Sequence, residues 1–168
     1  MKSRLLCALL VTTFLGLAPA LPAAAADLSP QAVQRTTRCP VCGMYPSRTP
    51  QWMAQIVFND QSAATFDSPV DLFRFLNNMA LFDKQHKPAD VGAIWVADYG
   101  SKAWTDAKKA FYVVGSRTLG PMNDPNLPAF ATRQAADAHV KAQGGQVLQF
   151  TDVTRDLIKG LNGGQHHH

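Results

Sequence analysis

The chain has 168 residues, with 16 Lys and Arg against 12 Asp and Glu, and a formal charge of +4. Without Lys2 and Arg4, which belong to an N-terminal leader, the charge falls to +2, too small an excess to argue for nucleic acid as a partner. Of its three cysteines only Cys39 and Cys42 lie outside the leader, and one close pair excludes a disulfide scaffold.

Residues 1–26 read as a secretory signal peptide. Lys2 and Arg4 precede the apolar run "LLCALLVTTFLGLA", and "PALPAAAAD" supplies small residues for cleavage near Ala26, with Asp27 opening the mature chain. Pro19, Pro22 and the alanine run argue against an uncleaved membrane anchor, and Cys7 lacks the small-residue context of a lipoprotein site. No second apolar stretch is long enough to span a bilayer, so a soluble mature protein without stable membrane insertion is expected. Its roughly 140 residues suffice for one core or two small fused ones.

"SPQAVQRTT" reads as a short helix or an arm. "WMAQIVFND" predicts a strand, "NDQS" a turn and "AATFD" a second short strand. Ser68 and Pro69 then signal a helix through a hydroxyl N-cap and proline at the first helical position, with Asp71 in the first turn. The apolar positions of "SPVDLFRFLNNM" cover a broad face at helical spacing. "QHKPADVG" is a loop and "AIWVADY" a third strand.

The second half repeats the plan. "KAFYVVGS" reads as a strand, "RTLGPMNDPNLP" as a turn-rich loop and "AFA" as a short strand. "TRQAADAHVKAQGG" is a helix capped by Thr132 and stopped at Gly144. "QVLQFTD" is a strand before a short terminal helix. The expected fold class is therefore α+β, a tandem duplication of two small ββαβ-type units packed side by side, over 27–105 and 106–168. The closing His166–His168 read as a tag remnant or as a metal-scavenging tail.

"RCPVCGMYPSRTPQW" carries the chemistry. A thiol–disulfide oxidoreductase would use the Cys39–Cys42 pair, but it wants a thiolate at a helix N-terminus, and Gly43, Pro46 and Pro50 signal no helix there. Structural zinc wants four ligands, whereas this chain offers one pair, with His86 and His139 far apart in sequence. A structural disulfide in a plain interaction module is the third alternative. Cu(I) is soft and favours thiolate with thioether. Cys42 and Met44 stand at i, i+2, which in an extended segment puts both sulfurs on one side. Met53 and Met79 read as core residues, whereas Met122 lies in the loop "LGPMNDP". In the repeat scheme "CGM" and "GPM" take similar places before a short strand and a helix, so the two loops are expected to converge.

"CPVCGMYPSRTPQWMAQIVF", "ADYGSKAW", "KAFYVVGSRTLGPM", "PAFATRQAADAHV" and "GGQVLQF", in that order from about Arg38 to Phe150, resemble the nitrous oxide reductase accessory protein family, NosL. The resemblance implies a non-catalytic periplasmic Cu(I)-binding chaperone of two related halves. Its cargo would go to nitrous oxide reductase or a related copper enzyme, with an ABC-type maturation complex as a further partner. It implies Cys42 and Met44 as copper ligands, Met122 as the second-half methionine, and Cys39 as the extra cysteine of members with a CxxC form. Pro40 stands where some members have a histidine, and the lipobox of many members is absent.

Overall fold

A computed structural model of the chain describes residues 26–162. The expected leader, apart from Ala26, and the C-terminal histidines lie outside the described residues.

The first strand, β1 (Ala54–Phe58), is the centre of a four-stranded antiparallel sheet. Its neighbours are β2 (Ala63–Phe66) and β3 (Val91–Ala97), and β4 (Trp104–Asp106) closes the far edge beside β3. Ala54 stands opposite Phe66 on one side and Val96 on the other, and Ile56 opposite Ala64 and Ile94. Every β1 side chain is buried. Alternation sends Ala54, Ile56 and Phe58 into the main core and turns Gln55 and Val57 to the opposite face. The buried Gln55 carboxamide is satisfied by donation to Thr65 Oγ1 (3.1 Å) and the Gln31 carbonyl (3.2 Å), and by acceptance from the Gln31 N–H (2.7 Å). The segment "SPQAVQRTT" is accordingly an arm laid over this face. Leu28 packs so closely that a Cβ at position 92 would lie 2.7 Å from the end of its side chain, which would have to shift to admit one.

Helix α1 (Pro69–Asn77) begins where the sequence signals it, the Ser68 hydroxyl accepting from the Asp71 N–H at 3.3 Å. The continuous helix expected through Met79 is broken at Asn78 (φ −144°, ψ 46°), and a short α2 (Met79–Phe82) follows. Asn77 and Asn78 are residues whose side chains compete for backbone partners, and the pair divides the two helices. Met79 remains in the core.

The second sheet contains β5 (Phe111–Val114) between β6 (Ala129–Phe130) and β7 (Gln146–Gln149), all antiparallel. Helix α3 (Arg133–Gln143) is capped by Thr132 and ends at Gly144, as expected. Helix α4 (Arg155–Asn162) packs against α1. The strand orders β2-β1-β3 and β6-β5-β7 match, while β4 has no counterpart in the second sheet. The boundary expected at 105/106 falls inside β4, between Thr105 and Asp106, and β5 begins at Phe111.

One large core spans both sheets, with a smaller cluster of Val113, Phe130 and Ala136 beside it. The Phe73 ring of α1 meets Tyr112 of β5 edge-on at 5.4 Å, and Phe66 meets Phe75 at 5.1 Å. The Tyr112 hydroxyl donates to the Ala107 carbonyl at 2.7 Å. Asp98, just past β3, accepts from the Gly100 and Ser101 N–H groups and from the Ala131 N–H at the end of β6, so the sheets are hydrogen-bonded to each other as well as packed. The fold is mixed α+β with two antiparallel sheets.

Candidate metal centre

The cysteine stretch folds back on itself before β1. The Cys39 N–H donates to the Met44 carbonyl at 2.8 Å and the Gly43 N–H to the Cys39 carbonyl at 2.9 Å. This closure needs a left-handed residue at its turn, and Gly43 supplies it at φ +74°. The Arg38 guanidinium donates to the Gly43 carbonyl and the Tyr45 hydroxyl and lies 4.4 Å over the Tyr45 ring. Two 3-10 turns, Pro46–Arg48 and Pro50–Trp52, then lead into β1, each opening on a proline.

The turn is pressed against the start of α1. Cys39 Sγ lies 3.4 Å from Asp71 Oδ2, and Cys42 Sγ lies 3.2 Å from Asp67 Oδ1. One donor atom from each of these residues lies within 4.8 Å of the other three. Asp67 follows β2 directly and Asp71 occupies the first turn of α1, so the strand-to-helix junction aims both carboxylates at the two thiols. Arg74 pairs with the other Asp71 oxygen from the next turn. Cys39, Asp67 and Asp71 are each no more than 2% exposed, and Cys42 is half-buried.

Two carboxylates beside two sulfurs set the electrostatics. Burial, reinforced by the Asp71 charge, pushes the Asp67 carboxyl up to about 6, against the lowering effect of the Cys42 and Cys39 thiols. The Cys42 thiol is pushed up as well, by its hydrogen bond with Cys39 first, then by burial and by Asp71. Both cysteines are thiols, not a disulfide. A thiol–disulfide exchanger needs the opposite shift, toward thiolate, and no helix N-terminus follows Cys42. The arrangement suits a cation, which takes the place of the thiol protons and neutralises the surrounding negative charge.

Of the residues expected from sequence, Cys39 and Cys42 meet at this cluster. Met44 lies at its edge, 39% exposed, on a cleft of about 130 Å³ that Asp67, Tyr45, Arg48, Thr49 and Pro121 also line. Pro121 brings the second-half loop to this cleft, while its neighbour Met122 is 52% exposed. The two loops do not hold equivalent places in the topology. "CGM" precedes β1, whereas "GPM" lies between β5 and β6, where the first half has its short β1–β2 turn. They approach because the β5–β6 connection is long, folded on itself through the Gly120 N–H to Asp124 carbonyl bond (2.8 Å) and an Asn126 side chain that reaches α1.

Asp67 and Asp71 were not legible as site residues. The only sequence signal was the helix start itself, which puts an acidic residue beside whatever packs on the N-terminus of α1. His86 and His139 are not in this cluster. His86 stacks on Phe58 at 3.8 Å between Asp83 and Asp60, and His139 packs against Phe130 with its Nε2 on the Thr118 hydroxyl.

The NosL family model matches residues 30–158. A copper-binding lipoprotein NosL from Achromobacter cycloclastes is 45% identical over 67 residues, which are 40% of this chain and 34% of that protein. The chain thus matches about a third of that relative's length. The crystal structure of the copper chaperone NosL from Shewanella denitrificans covers 78% of this chain and 99% of its own, with TM-score 0.62 and 23% identity, a likeness of fold. The solution NMR structure of apo-NosL from Achromobacter cycloclastes is 32% identical and covers 62% of this chain and 87% of its own, with TM-score 0.46. With the family model running from the arm that covers the first sheet to the last helix, the chain belongs to the NosL family.

Proposed function

We propose that this chain is an exported, non-catalytic copper carrier. It takes Cu(I) as cargo on the Cys42 thiolate and the Met44 thioether, with Cys39 and Met122 as further sulfur donors. The observation that supports this most directly is the cleft beside Cys42. Asp67, whose carboxylate is 3.2 Å from the Cys42 sulfur, lines it together with Met44, and Pro121 brings the Met122 loop to its wall. Soft sulfur at the mouth of a small cleft suits a soft monovalent ion that must be handed on, since an exposed thioether is open to exchange. The names of the relatives, a copper-binding lipoprotein and a copper chaperone, point the same way.

The recipient in this reading is a copper enzyme, nitrous oxide reductase or a relative, with its ABC-type maturation complex. The division into halves over 27–105 and 106–168 belongs to the same reading and draws on the matching strand orders. Among the described residues no helix is long and apolar enough to cross a membrane. The leader directs the chain to the periplasm, where a mature N-terminus near Asp27 is expected in the soluble extract. An intact leader in the membrane pellet would overturn that localisation.

The test is an anaerobic Cu(I) titration of the reduced mature protein in competition with bathocuproine, followed by X-ray absorption at the copper edge. One equivalent bound in a sulfur-rich shell is expected. A nitrogen- and oxygen-only shell, or no competition with the chelator, would sink the reading.

A further inference from the structure

We propose that Met44 and Met122 are a modification site, where oxidation of the thioethers to sulfoxides closes an empty carrier to copper and reduction reopens it. The proposal rests on the copper reading, in which both sulfurs are donors. Among the described residues four large apolar side chains are exposed, and two of them are these methionines, at 39% and 52%. Met44 lines the cleft of about 130 Å³, and Pro121 carries the Met122 loop to its wall, so the two exposed thioethers belong to loops that meet there. Met53 is half-buried, and Met79 is 4% exposed in the core.

The co-reactant is a hydroperoxide. A sulfur lone pair attacks the terminal peroxide oxygen, the O–O bond breaks, and a proton moves to the departing oxygen. With hydrogen peroxide the products are the sulfoxide and water. Sulfur loses two electrons and the peroxide gains them. A thioether has no proton to lose before it reacts, so access sets the order among the methionines. Reduction by a thiol-dependent sulfoxide reductase returns the thioether and water, at the expense of two electrons and two protons.

The sulfoxide is a poor ligand for Cu(I). It presents a hard oxygen, whereas Cu(I) selects thiolate and thioether. The cleft also offers that oxygen other partners, since Arg48 and Thr49 line it beside Met44 and both are hydrogen-bond donors. The Arg48 guanidinium is held 4.9 Å over the ring of Tyr45, the residue after Met44. An oxidised Met44 therefore has protein donors within its own cleft. Bound copper reverses the exposure, because the lone pair that attacks peroxide is then committed to the metal. Loaded carrier should resist oxidation and empty carrier should not. At two exposed positions the added oxygen leaves the core packing untouched.

The experiment treats the reduced, metal-free mature protein with hydrogen peroxide and quenches with catalase. Dithiothreitol, which returns a disulfide to thiols and leaves sulfoxide in place, then isolates the methionine effect. Peptide mass spectrometry should show Met44 and Met122 oxidising at least about fivefold faster than Met79. The oxidised protein, with unchanged circular dichroism, should bind Cu(I) at least about tenfold more weakly in bathocuproine competition. Methionine sulfoxide reductase should restore the affinity. Prior loading with Ag⁺, a soft monovalent stand-in that does not cycle with peroxide, should protect both residues. A variant carrying Met44→Leu and Met122→Leu should bind weakly before treatment and no more weakly after it. Oxidation of Met79 at an equal rate, wild-type Cu(I) affinity with both sulfoxides present, no recovery with the reductase, or no protection by Ag⁺ overturns the proposal. Failure of the copper reading shows separately, as untreated protein that does not compete for Cu(I). Untreated and oxidised proteins that bind equally well refute this proposal alone.

Discussion

The Asn126 carboxamide oxygen, on the connection between β5 and β6, accepts from the Val70 N–H in the first turn of α1 at 3.4 Å and from the Leu127 N–H at 2.9 Å. A second-half side chain thus satisfies a backbone donor at the start of the first-half helix, one residue before Asp71. Asn126 is 4% exposed, so its removal strands two buried donors. Asn126→Ala is expected to cost about 1–3 kcal/mol in chemical denaturation, the usual penalty for an unsatisfied buried group. Wild-type stability in this variant would show that the contact is not holding the two parts together.

The two classes of methionine should separate cleanly. Met79 is 4% exposed in the main core, and Met79→Ala should lose about 2–5 kcal/mol of stability with Cu(I) binding intact. Met44→Ala and Met122→Ala, at exposed positions, should lower Cu(I) affinity with stability within about 0.5 kcal/mol of wild type. Chelator competition and denaturant melts on the same three proteins check this. If Met122→Ala binds copper as the wild type does, the second loop contributes no ligand.

Burial also ranks the cysteines. With Cys39 at 2% exposure and Cys42 half-buried, iodoacetamide should label Cys42 first in the native apo protein, and both only on unfolding. Cys42→Ser should weaken Cu(I) binding more than Cys39→Ser does. Equal labelling rates, read by peptide mass spectrometry, would contradict the packing of the turn against α1.

His86 supplies a pH test away from the metal centre. Its hydrogen bond to Asp83 (2.7 Å), against some loss from burial, and its contact with Asp60 (3.2 Å) hold its pKa above the usual 6.5. The folded state therefore binds this proton more tightly than the unfolded chain. The stabilisation is complete below about pH 6.5 and is lost as pH rises through the raised value. The stability gap between wild type and His86→Gln should shrink from pH 5.5 toward pH 9, leaving the Phe58 stack and the hydrogen bonds that a neutral imidazole keeps. A gap that widens with pH would reverse the assignment.

Local chemistry made much of this fold legible. Ser68 and Pro69 announce α1, Thr132 and Gly144 bound α3, and alternating or β-branched runs mark β1, β3 and β5. Strand β4 carries no signal in the sequence because three residues show no periodicity, and Trp104–Asp106 pairs with β3 alone. The break at Asn78 was hidden by an apolar pattern that continues through it. At the metal centre the cysteine pair was plain, but its carboxylates were not. Asp67 lies 25 residues from Cys42 and Asp71 lies 32 from Cys39, so only the docking of the turn on α1 brings them together. Asp71 already had a sufficient local explanation in the helix start, which concealed its second use.

Asp71 and Phe73 are two residues apart on α1, about 200° around the helix. One looks onto the thiols while the other packs against Tyr112 in the second sheet. The helix is thus a shared beam, and whatever clamps its first turn also braces the joint between the sheets. Loading should register in a calorimetric scan as one transition moving upward whole, by about 2.7 kcal/mol at a free metal concentration one hundred times the dissociation constant. The metal-free and the metal-bound forms would then differ in resistance to unfolding and proteolysis across the entire molecule, and not only at the cysteine turn.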